Sequence, residues 1–225
     1  MTSQELTLYG HPISPFSYLI HFALLHREIQ HKFVCVNMSA KEHKSPEYLK
    51  LNPLGLIPAL QVGEQSIFSS WAIFEYLEEN YNSKRMLPSE EPYRSLVRSL
   101  CLTAITEMGK IGRELFLYSL GRKVIPKEEV SELIKEMQRL LAIFESELPK
   151  IPNHFHPTPV HPLLFLVWKN LSYSVPDLDT DFPFLSCTLK DFETLAPVQT
   201  IEKDPITQMV RDVFKNLINK QKTQS

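Results

Sequence analysis

Ser14, Ile57-Pro58 and the pair Ser69-Ser70 are the positions of this chain where residue type and placement could do chemistry. Ser14 follows the apolar strand Leu6-Thr7-Leu8-Tyr9 and precedes a helical pattern from Pro15 to His26. Proline suits the first helical position, where a missing N–H costs nothing. A helix start presents free N–H groups and a partial positive charge. A thiol placed there is favoured as its thiolate, as a cysteine is, and the Ser14 hydroxyl could donate one more hydrogen bond to that sulfur. Read alone, Ser14 is a helix cap; Ser17, a turn inside the helix, is its rival. Ser69 and Ser70 open a second helix with Ile73, Phe74 and Leu77 at helical spacing, and its start is an anion site of the same kind. Between them Ile57-Pro58 reads as a turn into a strand at Ala59–Val62, with Gly63 and the run Gln65–Phe68 completing a hairpin. A hydroxyl, an exposed backbone beside a proline and two helix starts could together bind a small anionic thiol.

The stretches Gly10–Ser14, Asn52–Leu60 and Ser69–Leu77, in that order and spacing, resemble the glutathione transferase N-terminal domain, which has a thioredoxin-like fold. The resemblance implies that Pro58 is cis and that the Ile57 N–H and C=O are free to pair with a ligand backbone, as an added strand would. It makes Ser70 the serine that holds the γ-glutamyl carboxylate of glutathione. The preceding residue is usually Glu or Gln in the family; here it is the shorter Ser69. Leu56 stands where Lys or Gln is frequent. The run His43-Lys44-Ser45-Pro46-Glu47 is similar to that of plant-type (phi) transferases, where its cations face the glycine carboxylate. His43 is the stronger candidate there, since Lys44 reads equally well as part of a solvated helix start. The family's arginine in the first helix is missing; Leu19, Ile20 and His21 occupy its neighbourhood, and His21 reads as a partly buried helix residue rather than a catalyst.

Composition agrees with a soluble globular protein. The 225 residues are 43% hydrophobic and 22% charged. A net charge of −2 gives no field for nucleic acid. No run of eighteen apolar residues suggests a membrane span, and Met1–Glu5 lacks a basic segment followed by an apolar core, so no secretion signal is expected and a cytoplasmic location is the default. Cys35, Cys101 and Cys187 are far apart, with no metal-type spacing. Cys35 lies in the apolar run Phe33–Val36 and reads as inert core. No cysteine occupies positions 11–17, which disfavours dithiol exchange and cysteine-dependent transferases. His154, His156 and His161 sit among prolines that break any regular face, so no metal is expected.

The chain changes character near Asn80. Strands and helices alternate before it, as βαβ then ββα; afterwards the pattern is helical. The expected organisation is a thioredoxin-like α/β domain at 1–80, a linker at 81–92 and an all-helical domain at 93–225. Tyr93 to about Leu120 reads as one long helix, and Pro126 opens another that carries Leu133, Met137, Leu140, Phe144 and Leu148. Farther on, Thr158 could cap a helix Leu163–Leu171. The family usually has a Ser/Thr-x-x-Asp box here; His161 replaces the Asp, so the reciprocal half of the box is expected to be lost and the helix to start less firmly.

On the resemblance, the expected function is a serine-type glutathione S-transferase. Glutathione, a co-substrate, lies along Ile57, Pro58, Ser69 and Ser70, its thiolate is stabilised by Ser14, and it attacks a small hydrophobic electrophile. A binding protein on the same fold, as in the stringent-starvation regulators, is the alternative that Leu56, Ser69 and His161 favour. A glutathione-dependent isomerase ranks lower, because the maleylacetoacetate isomerases carry Ser-Ser-Cys where this chain has Ser14-Pro15-Phe16. The resemblance also implies a homodimer through the helices Ser70–Tyr81 and Tyr93–Met108, with Trp71, Tyr76 and Arg94 as candidate contacts.

Overall fold

A computed structural model describes residues 5–172 and 178–222, without the side chains of 220–222. Residues 1–4, on which the leader reading partly rests, lie outside them. The first strand, β1 (Leu6–Gly10), alternates buried Leu6 and Leu8 with half-buried Thr7 and Tyr9, as a strand with one face on the core must. The helix α1 (Pro15–His26) returns the chain to a parallel strand β2 (Lys32–Cys35). A short helix α2 (Pro46–Leu51) precedes the antiparallel hairpin β3 (Ala59–Val62) and β4 (Gln65–Phe68), and α3 (Ser70–Asn80) closes the α/β part. The four strands lie in the order β2-β1-β3-β4, the mixed sheet expected of a thioredoxin-like fold.

Helix α1 is apolar almost all round because it is covered on more than one side. Tyr18, Leu19, Ile20, Phe22, Ala23 and Leu24 are all at most 2% exposed. At its end Arg27 is a buried hub. It pairs with Glu78 and donates to the carbonyl oxygens of Leu77, Tyr81 and Ser83, while Glu78 also accepts from the Met86 N–H at 3.0 Å. These bonds tie the end of α3 and the segment after it to α1. A buried guanidinium is tolerated when most of its donors are occupied in this way; Nε alone has no partner among the described residues.

The remaining chain is helical: α4 (Tyr93–Thr103), α5 (Gly109–Ser119), α6 (Lys127–Glu147), α7 (Val160–Leu171), α8 (Leu178–Asp181), α9 (Pro183–Glu193), α10 (Ala196–Lys203) and α11 (Pro205–Lys222). Two expectations change. The long helix of 93–120 is interrupted by a wider π-type turn at Ala104–Met108, where the Gly109 N–H reaches back to the Ala104 carbonyl. Helix α7 begins at Val160 rather than Leu163, with no side-chain cap bond on its first N–H groups but with Thr158 and His161 paired at its start. The Thr158 N–H donates to His161 Nδ1 at 3.1 Å, and the Thr158 hydroxyl lies 3.0 Å from the same nitrogen. The imidazole thus fills the acceptor place of the absent aspartate, so the reciprocal half of the box is present after all. Its ring is neutral: burial, with His156 adding, holds His161 down at about 3.

One continuous core runs from β1 and α1 through α4, α6, α7 and α9 to α10. Helix α1 packs against α3, α7 and α10. Among the described residues no helix is long and apolar enough to cross a membrane.

Candidate functional site

The strand register brings the candidate residues together. Tyr9 of β1 pairs with Ala59 of β3, which pairs with Phe68 of β4; on the other side Gly10 pairs with Cys35 of β2. Ser14 follows β1, Ile57-Pro58 precedes β3, Ser69-Ser70 follow β4, and the segment holding His43 and Lys44 follows β2. All leave or enter the sheet at the same end.

Ser14 serves as cap and remains a donor. Its Oγ accepts from the Ser17 N–H at 3.3 Å, and its carbonyl accepts from the Tyr18 N–H at 2.9 Å. The hydroxyl proton is left for a ligand, so the two readings of Ser14 are compatible. Ser17, the rival, is 1% exposed and packed under Gly10, where a Cβ would come within 2.9 Å of its Oγ; it faces no solvent. His11, in the loop before Ser14, is pushed down to about 4 by burial, so it is uncharged at neutral pH. His21 is held at about 3 by burial and the nearby His31, and its ring stacks on Phe33 at 4.5 Å. A packed neutral ring fits the reading that it is no catalyst.

The Ile57–Pro58 bond is cis, and the Ile57 N–H and C=O have no partner among the described residues. Lys44, Tyr48 and Asn52 hold the loop before it, a role the sequence did not assign to them. Lys44 Nζ donates to the carbonyls of Leu54 (3.2 Å) and Gly55 (2.7 Å), and the Leu56 carbonyl accepts from Tyr48 Oη (2.8 Å) and Asn52 Nδ2 (2.7 Å). Asn52 Oδ1 also accepts from the Leu54 N–H at 3.0 Å, an Asx turn. Gly55 has φ +57 and lies so close to His43 and Lys44 that a Cβ would come within 2.8 Å of both. The Asn-Pro-Leu-Gly run was the available signal for this turn; the lysine and tyrosine could not be assigned to it from spacing. Lys44 therefore meets a ligand with its ammonium already engaged. Burial, with Lys44 and Lys41 adding, lowers His43 from its ordinary value.

Ser70 begins α3 and is 6% exposed, while Ser69 is exposed with φ +72 and no capping hydrogen bond. A non-glycine residue in that region is uncommon and marks local strain, of the kind found at functional sites. The α3 start keeps its free N–H groups, and neither serine hydroxyl has a partner among the described residues. The arrangement can hold an anion at α3, an extended backbone at Ile57 and a thiolate at Ser14. Among the cysteines, burial raises Cys35 and Cys101, so neither supplies a thiolate of its own. Of the proposed dimer contacts, Trp71 stacks on Phe74, Tyr76 meets Tyr81 edge-on, and Arg94 donates to the carbonyls of Pro88 and Ser89.

Residues 4–79 match the family model described as the glutathione S-transferase N-terminal domain. A zeta-class glutathione S-transferase of Euphorbia esula is 31% identical over 144 residues, 64% of each chain. A maleylacetoacetate isomerase of Rhizobium meliloti is 36% identical over 98 residues, 44% of this chain and 46% of its own length. The matched stretch thus spans less than two thirds of these relatives. Among solved structures, a glutathione transferase of Phanerochaete chrysosporium, in complex with oxidised glutathione, superposes with a TM-score of 0.79 at 20% identity, covering 89% of this chain and 96% of its own. A glutathione transferase of Pseudomonas putida, with glutathione disulfide bound, gives 0.77 at 20% identity, covering 90% and 92%. At such identity these neighbours establish the fold. Residues 4–79 match the glutathione S-transferase N-terminal domain, and the chain has the fold of the glutathione transferases it is similar to.

Proposed function

We propose that the chain is a glutathione-dependent enzyme that activates the glutathione thiol with Ser14 and transfers the thiolate to a small hydrophobic electrophile. The observation that carries this reading is the convergence, at one end of the sheet, of the Ser14 hydroxyl, the unpaired Ile57 backbone and the unfilled start of α3. Glutathione lies with its cysteinyl backbone along Ile57 and its γ-glutamyl carboxylate at Ser70 and the α3 N–H groups. A free thiol titrates near 8.5; lowering it by two units takes about 2.7 kcal/mol and makes the thiolate dominant at neutral pH. Most of the rate beyond that comes from positioning.

Retention on immobilised glutathione, followed by turnover of an activated chloroaromatic, tests the reading. No retention would favour a non-catalytic binding role on the same fold. Ser69 and Leu56 weaken the grip on the ligand, so the double replacement Ser69→Glu with Leu56→Gln tightens glutathione binding in calorimetry; no gain would argue that this surface serves another ligand. A second reading, cis–trans isomerisation of a double bond by transient thiolate addition, is favoured by the similarity to maleylacetoacetate isomerases of Rhizobium meliloti and Dictyostelium discoideum. Turnover of maleylacetoacetate without chloroaromatic conjugation would select it. The working form is a homodimer. Exposed Phe68 and Leu102, and the Arg98–Glu75 pair between α4 and α3, support a two-fold contact on that side.

A further inference from the structure

The π-type turn at Ala104–Met108 stands where the helical part meets the first turn of α1. Phe16 is the second residue of α1, two positions after Ser14. A Cβ built on Gly109 would lie 2.7 Å from Phe16 Cζ and 3.6 Å from its Cε1. Optimal carbon contacts lie at roughly 3.5–4.0 Å, so a side chain on residue 109 would meet the ring end and the ring would have to give way. Glycine inside a helix costs about 1 kcal/mol against alanine. Here the chain has both a glycine and a widened turn, whose defining bond is the Gly109 N–H to the Ala104 carbonyl. Turns of this type are frequent at functional sites. Phe16 is half-buried and packs on the continuous core.

We infer that Phe16 and Gly109 form a joint that sets the distance between the Ser14 helix start and the helical wall, which makes Gly109 a positioning residue for the second substrate. The inference rests on the transferase reading. A side chain at 109 drives the Phe16 ring outward and narrows the space beside Ser14. The groups that hold glutathione, at Ile57 and on α3, are untouched.

Steady-state kinetics with both substrates tests the joint. Gly109→Ala is expected to lower kcat/KM for the chloroaromatic about tenfold, since displacements approaching 1 Å cost up to about a hundredfold. KM for glutathione should stay within about twofold, because uniform binding is unchanged. The double replacement Phe16→Leu with Gly109→Ala removes both crowding atoms and should recover most of the loss. Wild-type kinetics in Gly109→Ala, or a loss that the double replacement does not recover, overturns the joint. If Gly109→Ala alone does not fold, a folded and active double replacement supports the clash, and an unfolded one overturns it. A wild-type protein without turnover sinks the transferase reading instead. The joint is then read from backbone amide shifts. Ser14 and Tyr18 signals that move in Gly109→Ala and return in the double replacement support it; signals that stay put overturn it.

Discussion

Helices α1 and α7 both begin with a hydroxyl residue followed by proline, Ser14-Pro15 and Thr158-Pro159, yet they end up as opposites. At α7 the capping groups are consumed within the chain. Thr158 and His161 close on each other at 0% and 2% exposure, and the one group left over, His161 Nε2, is buried out of a ligand's reach. At α1 the Ser14 oxygen accepts one bond, its hydroxyl proton is uncommitted, and the residue is half-exposed at the end of the sheet. Helix α3 follows α1 in kind, with free N–H groups and no cap bond. Whether a helix start is a joint or a site depends on whether its donors are spent. The sequence motif alone does not separate the two.

The sharpest way to break this contrast is Ser14→Ala. If the α1 start is a site, turnover should fall about 10²–10³-fold, the cost of losing one preorganised donor, while stability falls only by about 1 kcal/mol, the cost of a lost cap. Titration of the bound thiol alongside a melting curve measures both. An unchanged thiol pKa and rate would make Ser14 merely a cap like Thr158. Ser70→Ala should weaken glutathione binding by about 1–3 kcal/mol, the range for a hydrogen bond to a charged group, as read by calorimetry. Equal binding would mean that the α3 N–H groups suffice.

Acid sharpens the comparison from the α7 side. An unfolded imidazole titrates near 6.5, whereas His161 and His21 are held at about 3 and His11 at about 4. The unfolded chain therefore binds more protons. The stability that each neutral ring contributes is whole above about pH 6.5 and is lost as pH falls toward the folded value. For His161 that amounts to roughly 2 kcal/mol between about pH 6.5 and pH 5. Urea midpoints should fall over this range, and less steeply in His161→Gln; parallel lines would show that the box does not titrate. The smallest effect is expected for Thr158→Ala, about 1 kcal/mol of stability with the rate per folded molecule unchanged. A change in kcat there would mean that α7 is coupled to the chemistry.

Much of the site was legible because its signals are local. Ser14 before Pro15, Ser70 before an apolar helical stripe, and Ile57-Pro58 before a short strand each announce their element within a few residues. The strand register then unites them, and that register follows from the βαβ–ββα order. What escaped the sequence depends on partners far along the chain or on unusual substitutes. Glu78 meets Arg27 across 51 positions, and Lys44 is occupied by carbonyls about ten residues on. The π-type turn inserts a single residue that apolar periodicity does not register. His161 hid the capping box because an unprotonated ring nitrogen was not counted among the acceptors that usually fill that place.

Helix α1 has one more consequence, for how such a protein can be cut and recombined. Tyr18 rests on Phe165 of α7, and Phe22 on Phe192 of α9. A gene fragment ending before Tyr93 would turn these rings, with Leu19 and Ala23 beside them, out to water at about 1.5–3 kcal/mol for each large side chain. The α/β part is thus a recognisable module without being an autonomous one. Any exchange of helical parts between relatives would have to bring an α7 and α9 whose surfaces fit this α1.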